Sequence, residues 1–395
     1  MQCRICRSKN YNFFFEINNY PIVSGPVISS KAPPVKTGKI SIGFCFNCGS
    51  CTLIEPAAED ITYTDDYTSS NMSVTLGAKI DRKMVSFLNF LEQVNFKKKL
   101  RVLEIGSYDG ALIASLRDKF GLEAFGCEPV KKVADLAVKR YGLKIKNNYF
   151  SADLYEKDFF NVVIFRNVLE HIYNPVEFLA DVWQITKDGG KIVLDVPDGE
   201  LRISEGITGS IVPEHANYFG ADSLRLVLIL AGFDSIKIQK HRGSLRAQAT
   251  KRSVNNGRIK FDREKIIRTY NQLEKGAKKN LQKHQKIGSL LKDAENVYIF
   301  GANTCSLELL AAGDLINKKI RFILDDDPLK WKQVMVNTKI EIKPRQDCKS
   351  ITGPKTFIIC SYYFHEDLFN FLRKNLEPPF DIIRLYPEIK LVKTK

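Results

Sequence analysis

Two histidines, a glycine turn flanked by carboxylates and four paired cysteines are the parts of this sequence that could do chemistry. His171 closes the segment NVLEHI and His215 sits in IVPEHANYF, in a chain of 395 residues with 5 histidines. An imidazole titrates near neutrality and can take a proton from a carbon beside a carbonyl, provided the charge left behind is stabilised. Glu214, next to His215, can orient that ring or hold a hydroxyl. For His171 a plain packing role at a helix start stands equal to a chemical one. The polar setting of His215, off any periodic apolar face, favours chemistry.

These groups need a scaffold, and the segment Leu103 to Gly110, LEIGSYDG, announces it. An apolar strand, LRVLEIG, runs into a turn at Gly106 and Gly110 and then into the helical ALIASLRDKF. Such a strand, turn and helix N-terminus offer free backbone N–H groups to a ligand. Glu104 and Asp109 are candidate contacts in the turn, although the dinucleotide spacing G-x-G-x-x-G is absent. Glu128 follows one helix and one strand later, in LEAFGCEPV, where a carboxylate can accept both hydroxyls of a ribose. Asn147 and Asn148 fall toward the base of such a nucleoside, and Arg166 and Asn167 toward its other end. KIKNNYF, FFNVVIFRNVLEHI and GGKIVLDVP continue the alternation, which predicts an α/β fold with a doubly wound parallel sheet. Ligands of that architecture lie outside the carboxyl ends of the strands, where all these residues map.

Cys3-Arg-Ile-Cys6 and Cys45-Phe-Asn-Cys48 are two C-x-x-C knuckles, and four thiolates so paired suit a tetrahedral structural zinc. The long proline-containing loop between them costs only a slowly growing closure entropy. Cys51 continues the spacing and could replace Cys48; a buried small residue is the preferred reading. A redox pair is disfavoured because neither knuckle opens a helix after a βαβ strand. Between residues 57 and 97 the polar, aromatic ITYTDDYTSSNMS leads into a helix with Val74, Ala78, Val85, Leu88 and Leu91 on one face. Tyr63, Tyr67, Ser69, Ser70 and Ser73 could give hydrogen bonds and a stacking face to a sugar or base, against the plainer reading of an exposed loop.

Further on, HRGSLR, containing Ser244 and Arg246, has donors that suit a diphosphate, and residues 262–292 read as a basic amphipathic helix pair. ENVYIFGANTCSLELLAAG and RFILDDDP read strand, turn, helix, strand, a second Rossmann-like half; Gly301 alone cannot make a dinucleotide cradle. His365 reads as a surface histidine near a helix start. The balance of 60 Lys plus Arg against 45 Asp plus Glu gives +15, a field that suits nucleotides, phosphorylated sugars or nucleic acid. Nothing reads as a signal peptide or a membrane span, so a cytoplasmic setting without membrane partners is expected.

Taken in order behind the two knuckles, LEIGSYDG, GCEPV, RNVLEHI, PEHANYF and HRGSLRAQ resemble the sugar C-methyltransferase family. That resemblance covers essentially the whole chain. It implies a class I methyltransferase core using S-adenosylmethionine, an N-terminal zinc module and a Rossmann-like C-terminal domain. It also implies methylation of carbon 3 of a nucleotide-linked 4-keto deoxysugar. By it, Glu128 would bind the adenosyl ribose and the Gly106 to Gly110 turn the methionine part. His215 would be the base, Glu214 and His171 would contact the sugar or enolate, and Tyr67 would close over it. The chain departs from the family at Val212 and Pro213, at Tyr108 where asparagine is usual, and at Arg242 where glycine is usual. The implied organisation is a zinc module over 1–56, a capping segment over 57–97, the donor-binding core over 98–240, a phosphate-side loop and helices over 241–292, and the last domain over 293–395. Such an enzyme would act as a monomer or homodimer. Two other readings remain: an O- or N-methyltransferase with the same donor, and a zinc-ribbon nucleic-acid-binding protein. The second is disfavoured because the basic residues are spread and form no stacking platform.

Overall fold

Glycine turns and period-two apolar strands build the first of two units into which the chain divides. The computed structural model describes residues 2–54, 82–252, 261–312, 315 and 320–394. One unit takes residues 1–13, 42–201 and 215–270; the other takes 14–41, 202–214 and 271–395. The N-terminal stretch 1–56 therefore contributes to both.

Three strands open the chain, β1 (Tyr11–Pro21), β2 (Val27–Ile28) and β3 (Thr37–Cys45), followed by β4 (Cys51–Leu53) and helix α1 (Arg82–Leu91). The alternating core then runs β5 (Arg101–Ile105), α2 (Ala111–Phe120), β6 (Glu123–Cys127), α3 (Lys131–Tyr141) and β7 (Lys144–Lys146). It continues with β8 (Phe160–Arg166), α4 (Pro175–Ile185), β9 (Thr186–Pro197) and α5 (Gly199–Ser204). Next come β10 (Asn217–Tyr218), α6 (Ala221–Leu230), β11 (Phe233–His241) and β12 (Ser244–Lys251).

Seven of these strands form one sheet in the order β11-β12-β9-β8-β5-β6-β7. β7, β6, β5, β8 and β9 are parallel, and β12 lies antiparallel between β9 and β11. The chain moves outward from β5 to β7, then returns to start the other half at β8. That reversal opens a crevice at the carboxyl ends of β5 and β8. Period-two alternation sorts the strand side chains between two cores. Leu103, Ile105, Val163, Phe165, Ile192 and Leu194 pack on one face with α4 and α6. Val102, Val162, Ile164 and Val193 pack on the other, with α1, α2 and α3. Each such fully buried side chain contributes about 1.5–3 kcal/mol. α2 and α3 stop at Gly121 and Gly142, whose φ values of 65° and 62° suit the left-handed cap that ends a helix.

α1 differs from its expected face. Val74 and Ala78 lie outside the described residues, and Val85 is 42% exposed. Met84, Phe87, Phe90 and Leu91 are the buried set. Large rings on the neighbouring face outweigh a β-branched residue in choosing which side is covered.

The second unit contains most of α7 (Arg263–Leu290), then β13 (Val297–Phe300), α8 (Thr304–Ala312), β14 (Ile320–Asp325), β15 (Val334–Met335) and β16 (Ile342–Pro344). β17 (Lys355–Ile359), α9 (His365–Asn375), β18 (Phe380–Arg384) and β19 (Lys390–Thr394) complete it. Its sheet order is β16-β14-β13-β17-β18-β19, parallel except for β19. The expected helix pair is one continuous helix of 28 residues. Gly276 does not break it but lets the backbone of α5 approach: a Cβ there would lie 2.0 Å from the Ile203 carbonyl oxygen.

The turn after β13 has no room for a phosphate. Asn303 Oδ1 caps the N–H groups of Cys305 and Ser306 at 2.9 and 3.3 Å, and Thr304 Oγ1 donates to the Gly209 carbonyl at 2.9 Å. A Cβ on Gly209 would come within 2.4 Å of Cys305 N, so the 208–210 segment occupies the end of α8. Glu308 holds it there, accepting from Gly209 N, Asn280 Nδ2 and His284 Nε2 at 2.8, 2.6 and 3.0 Å. No described helix is long and apolar enough to cross a membrane.

Candidate active site

Glu104 leaves β5 on the same face as Val102, 3% exposed. Burial raises its pKa from 4.5 to about 8, with the nearby Arg166 opposing. The turn that follows is tightly wound: Gly106, Tyr108 and Gly110 have φ values of 68°, 49° and 74°. Side chains on Gly106 and Gly110 would also meet Val168 at 2.8 Å and Leu143 at 2.5 Å. Glu128, at the end of β6, fixes the turn: its Oε2 accepts from Tyr108 N and its Oε1 from Val130 N, both at 2.9 Å. Burial raises its pKa, and those two hydrogen bonds work against the rise. Each oxygen retains a lone pair for a ligand hydroxyl.

Four buried polar atoms around this turn have no hydrogen-bond partner among the described residues: Glu104 Oε2, Ser107 Oγ, Asp109 Oδ2 and Arg166 Nε. Buried polar groups are normally satisfied, so the cluster is what a polar ligand would complete. Asp109 Oδ1 is used on Ala111 N at 3.2 Å, and burial raises this carboxyl as well. Asn148 is exposed, with its carbonyl accepting from Cys127 Sγ; Asn147 instead fixes the loop, donating to the carbonyls of Glu128 and Pro129. Asn167 is exposed, at a φ of 50°.

The raised Glu104 pKa has a thermodynamic consequence. The unfolded chain ionises this group near 4.5 and the folded chain near 8, so its contribution to stability is full below pH 4.5 and is lost as pH rises through 8. Glu104→Gln is expected to flatten the fall of thermal midpoint between pH 5 and 8 in the ligand-free protein. Equal slopes for the two proteins in a melting series would reject this.

His171 lies in the short turn just after β8, and His215 just before β10. Their rings meet edge to face with centroids 4.8 Å apart. Glu170, 2% exposed, places Oε1 3.8 Å from His171 Nε2, and one donor atom from each of the three residues lies within 4.8 Å of the others. A buried carboxyl group thus lies beside two imidazoles. The segments are stitched by Asn217, whose Nδ2 donates to the Ile172 carbonyl at 2.7 Å. Glu214 belongs to the second unit, where it accepts from Ser24 Oγ at 2.7 Å. Tyr63, Tyr67, Ser69, Ser70 and Ser73 lie outside the described residues.

HRGSLR is a hairpin. His241 pairs with Ser244 across Arg242 and Gly243, whose φ values of 45° and 79° are those of a two-residue primed turn. Ser244 begins β12 half-buried beside Pro197. Arg246, expected to offer donors to a diphosphate, directs them inside the fold: Nε to Asp195 Oδ2 at 2.9 Å, and Nη1 to Ser86 O and Oγ at 2.9 and 3.1 Å. At 6% exposure it forms a buried ion pair next to the crevice. Neither Ser86 nor Asp195 carries a signal in the sequence, because each acts through a residue distant in the chain.

The cysteines converge as the knuckles require. The Cys3–Cys48 and Cys6–Cys45 sulfurs are 3.7 and 3.6 Å apart. Tetrahedral zinc with bonds near 2.3 Å would set its sulfurs about 3.8 Å apart. The four donors form one group, while Cys51 is buried in β4 with its thiol pushed well up by burial. Ser50 Oγ lies 3.2 and 3.1 Å from the Cys3 and Cys48 sulfurs, where it can donate to a thiolate. The hydrogen bond with Cys3 and, after it, burial push the Cys45 thiol up, so four thiolates need a cation among them. The cluster fits a zinc module.

Residues 76–238 match the family model described as a methyltransferase domain. The described residues within that match have the class I methyltransferase fold, the fold class whose methyl donor is S-adenosylmethionine. Over 98 residues the chain is 31% identical to the ubiquinone biosynthesis O-methyltransferase of Roseobacter denitrificans, a match that covers 24% of this chain and 39% of that protein. The chain thus spans about two fifths of the length of this curated relative. Similar solved structures include an S-adenosylmethionine-dependent methyltransferase from Archaeoglobus fulgidus, 16% identical over 46% of this chain and 100% of that one, with a TM-score of 0.37. Another is phosphoethanolamine N-methyltransferase 2 of Haemonchus contortus, 14% identical over 43% of this chain and 52% of that one, with a TM-score of 0.35.

Proposed function

We propose that the protein is an S-adenosylmethionine-dependent C-methyltransferase that acts on carbon 3 of a nucleotide-linked 4-keto deoxysugar. The single observation that supports this most is the closeness of His171 and His215 beside the carboxyl end of β8, in the same sheet as the unsatisfied polar cluster around Gly106 to Gly110. In this reading Glu128 receives the ribose, Glu104, Asp109 and Arg166 surround the amino-acid part of the donor, and Asn148 and Asn167 lie at the two ends. The bound donor supplies an electrophilic methyl. His215 removes the proton beside the carbonyl, and His171 with Glu170 steadies the charge that the base acquires. Tyr67 and Tyr63 cover the acceptor, with Ser69 and Ser244 as hydroxyl contacts. Holding base and acceptor in register and excluding water supply most of the rate. The four cysteines hold a structural zinc.

The relative among O-methyltransferases supports a second reading, in which the same imidazole takes its proton from a hydroxyl acceptor. Calorimetry separates the readings. S-adenosylhomocysteine is expected to bind, followed by one or more of a panel of nucleoside diphosphates. Failure of the first removes the donor reading. Binding of the first with none of the second removes the nucleotide-sugar reading and leaves the hydroxyl acceptor.

A further inference from the structure

Arg4 stands inside the first knuckle, between the metal-ligating positions Cys3 and Cys6, yet its side chain leaves the cysteine cluster. Its Nη2 donates to two carbonyls at once, Leu53 O at 2.6 Å and Ala216 O at 2.7 Å. Ala216 O also accepts from Leu53 N at 3.0 Å, so the guanidinium completes the junction of β4 with the segment entering β10. The guanidinium carbon lies 4.5 Å from the centroid of the Tyr173 ring, a cation–π distance.

The two contacts fall on the two histidine segments. Ala216 directly follows His215, and Tyr173 is two residues beyond His171. Asn217 already ties these segments once, through the Ile172 carbonyl. Arg4 ties them a second time and to something rigid, because its own backbone is bracketed by two cysteines of a four-sulfur cluster. A planar guanidinium can bridge two carbonyls and stack on a ring together, which an ammonium on a flexible stem does poorly.

We propose that Arg4 is a positioning residue that transmits the geometry of the cysteine-bound metal to the His171–His215 pair, so that the metal module sets the placement of the base as well as the stability of the fold. This rests on the reading of that pair as the proton-transfer centre. Arg4 itself touches no reacting atom in this account. Loss of the bridge should let the His215 segment drift by a fraction of an ångström, and misplacement of about 1 Å can cost about a hundredfold in rate.

The test uses the full-length, metal-loaded protein labelled with 15N-histidine. Its 5 histidines give a small, assignable set of imidazole resonances, His171 and His215 being identified from single His→Asn variants. Arg4→Gln and Arg4→Lys are expected to move the resonances of His171 and His215 and leave those of His241, His284 and His365 in place. Bound metal should remain at the wild-type ratio by elemental analysis, and S-adenosylhomocysteine affinity should be unchanged. With the cognate acceptor, kcat should fall about ten- to a hundredfold with little change in KM, and lysine should not rescue it. Wild-type imidazole spectra in a metal-loaded Arg4→Gln protein would overturn the proposal. Should Arg4 variants lose the metal, Tyr173→Leu, which removes the ring without touching the knuckle, is expected to give the same two-histidine shift. An unmoved pair there would overturn it as well. The spectra are read without turnover, so an error in the acceptor or reaction would leave this result standing or falling by itself.

Discussion

Replacing His215 with asparagine is expected to lower methyl transfer by about two to four orders of magnitude, the range a positioned general base supplies. Asparagine keeps a polar side chain of similar reach but offers no basic nitrogen. In the proposed reading the methyl donor would be held elsewhere, by the turn from Gly106 to Gly110 and the carboxylates around it, so S-adenosylhomocysteine affinity should stay at the wild-type value. Exchange of the carbon 3 proton with solvent, observed by proton NMR without donor, should be lost with the transfer. Retention of both at wild-type rates would falsify the assignment of the base. Wild-type turnover without any exchange at carbon 3 would shift the assignment to a hydroxyl acceptor. His171→Asn should slow both steps less than His215→Asn, since in this arrangement it supports the charge on its neighbour.

The second large effect is expected at the metal. Cys45 is fully buried and its sulfur is 3.6 Å from that of Cys6. Serine fits the space but cannot supply a thiolate, leaving three ligands for a tetrahedral ion. Structural zinc contributes about 10–16 kcal/mol in isolated finger peptides. The first unit has its own two-faced core, so a loss of about 3–5 kcal/mol is the reasonable expectation for Cys45→Ser, a fall of about 10 °C in melting temperature. Cys51→Ser is the matched control. It also replaces a buried thiol, but should keep wild-type metal content, measured with a chromophoric chelator after unfolding. Loss of metal from the Cys51 variant, or its retention at wild-type affinity in the Cys45 variant, would overturn the ligand assignment.

What the sequence made legible was local. Gly106 and Gly110 marked a turn needing positive φ, the alternation around Leu103 and Val163 marked strands, and two C-x-x-C pairs marked a four-sulfur cluster. Each turn, strand and single knuckle is a short local signal that follows from backbone sterics or ligand geometry, and the two knuckles join by their shared spacing. The residues it missed act over long separations. Nothing near Arg4 announces a partner at Ala216, and nothing near Arg246 announces Asp195, so a basic loop could be read as an open anion site. The expected helix pair over residues 262–292 is one helix, and Gly276 inside it admits a neighbouring backbone at close range. The division of the chain into two discontinuous units is likewise a property of contacts that no composition shift records.

The seat of Gly209 against the end of α8 gives the second unit an unusual economy. In folds of this shape a helix N-terminus is commonly an inlet for a soluble anion, and so a point at which metabolite levels can act. Here the chain's own peptide group is the permanent tenant, bolted down by Glu308. The residues so anchored lead directly into Glu214 and His215. Within the second unit that end of α8 is therefore closed by the chain's own peptide group.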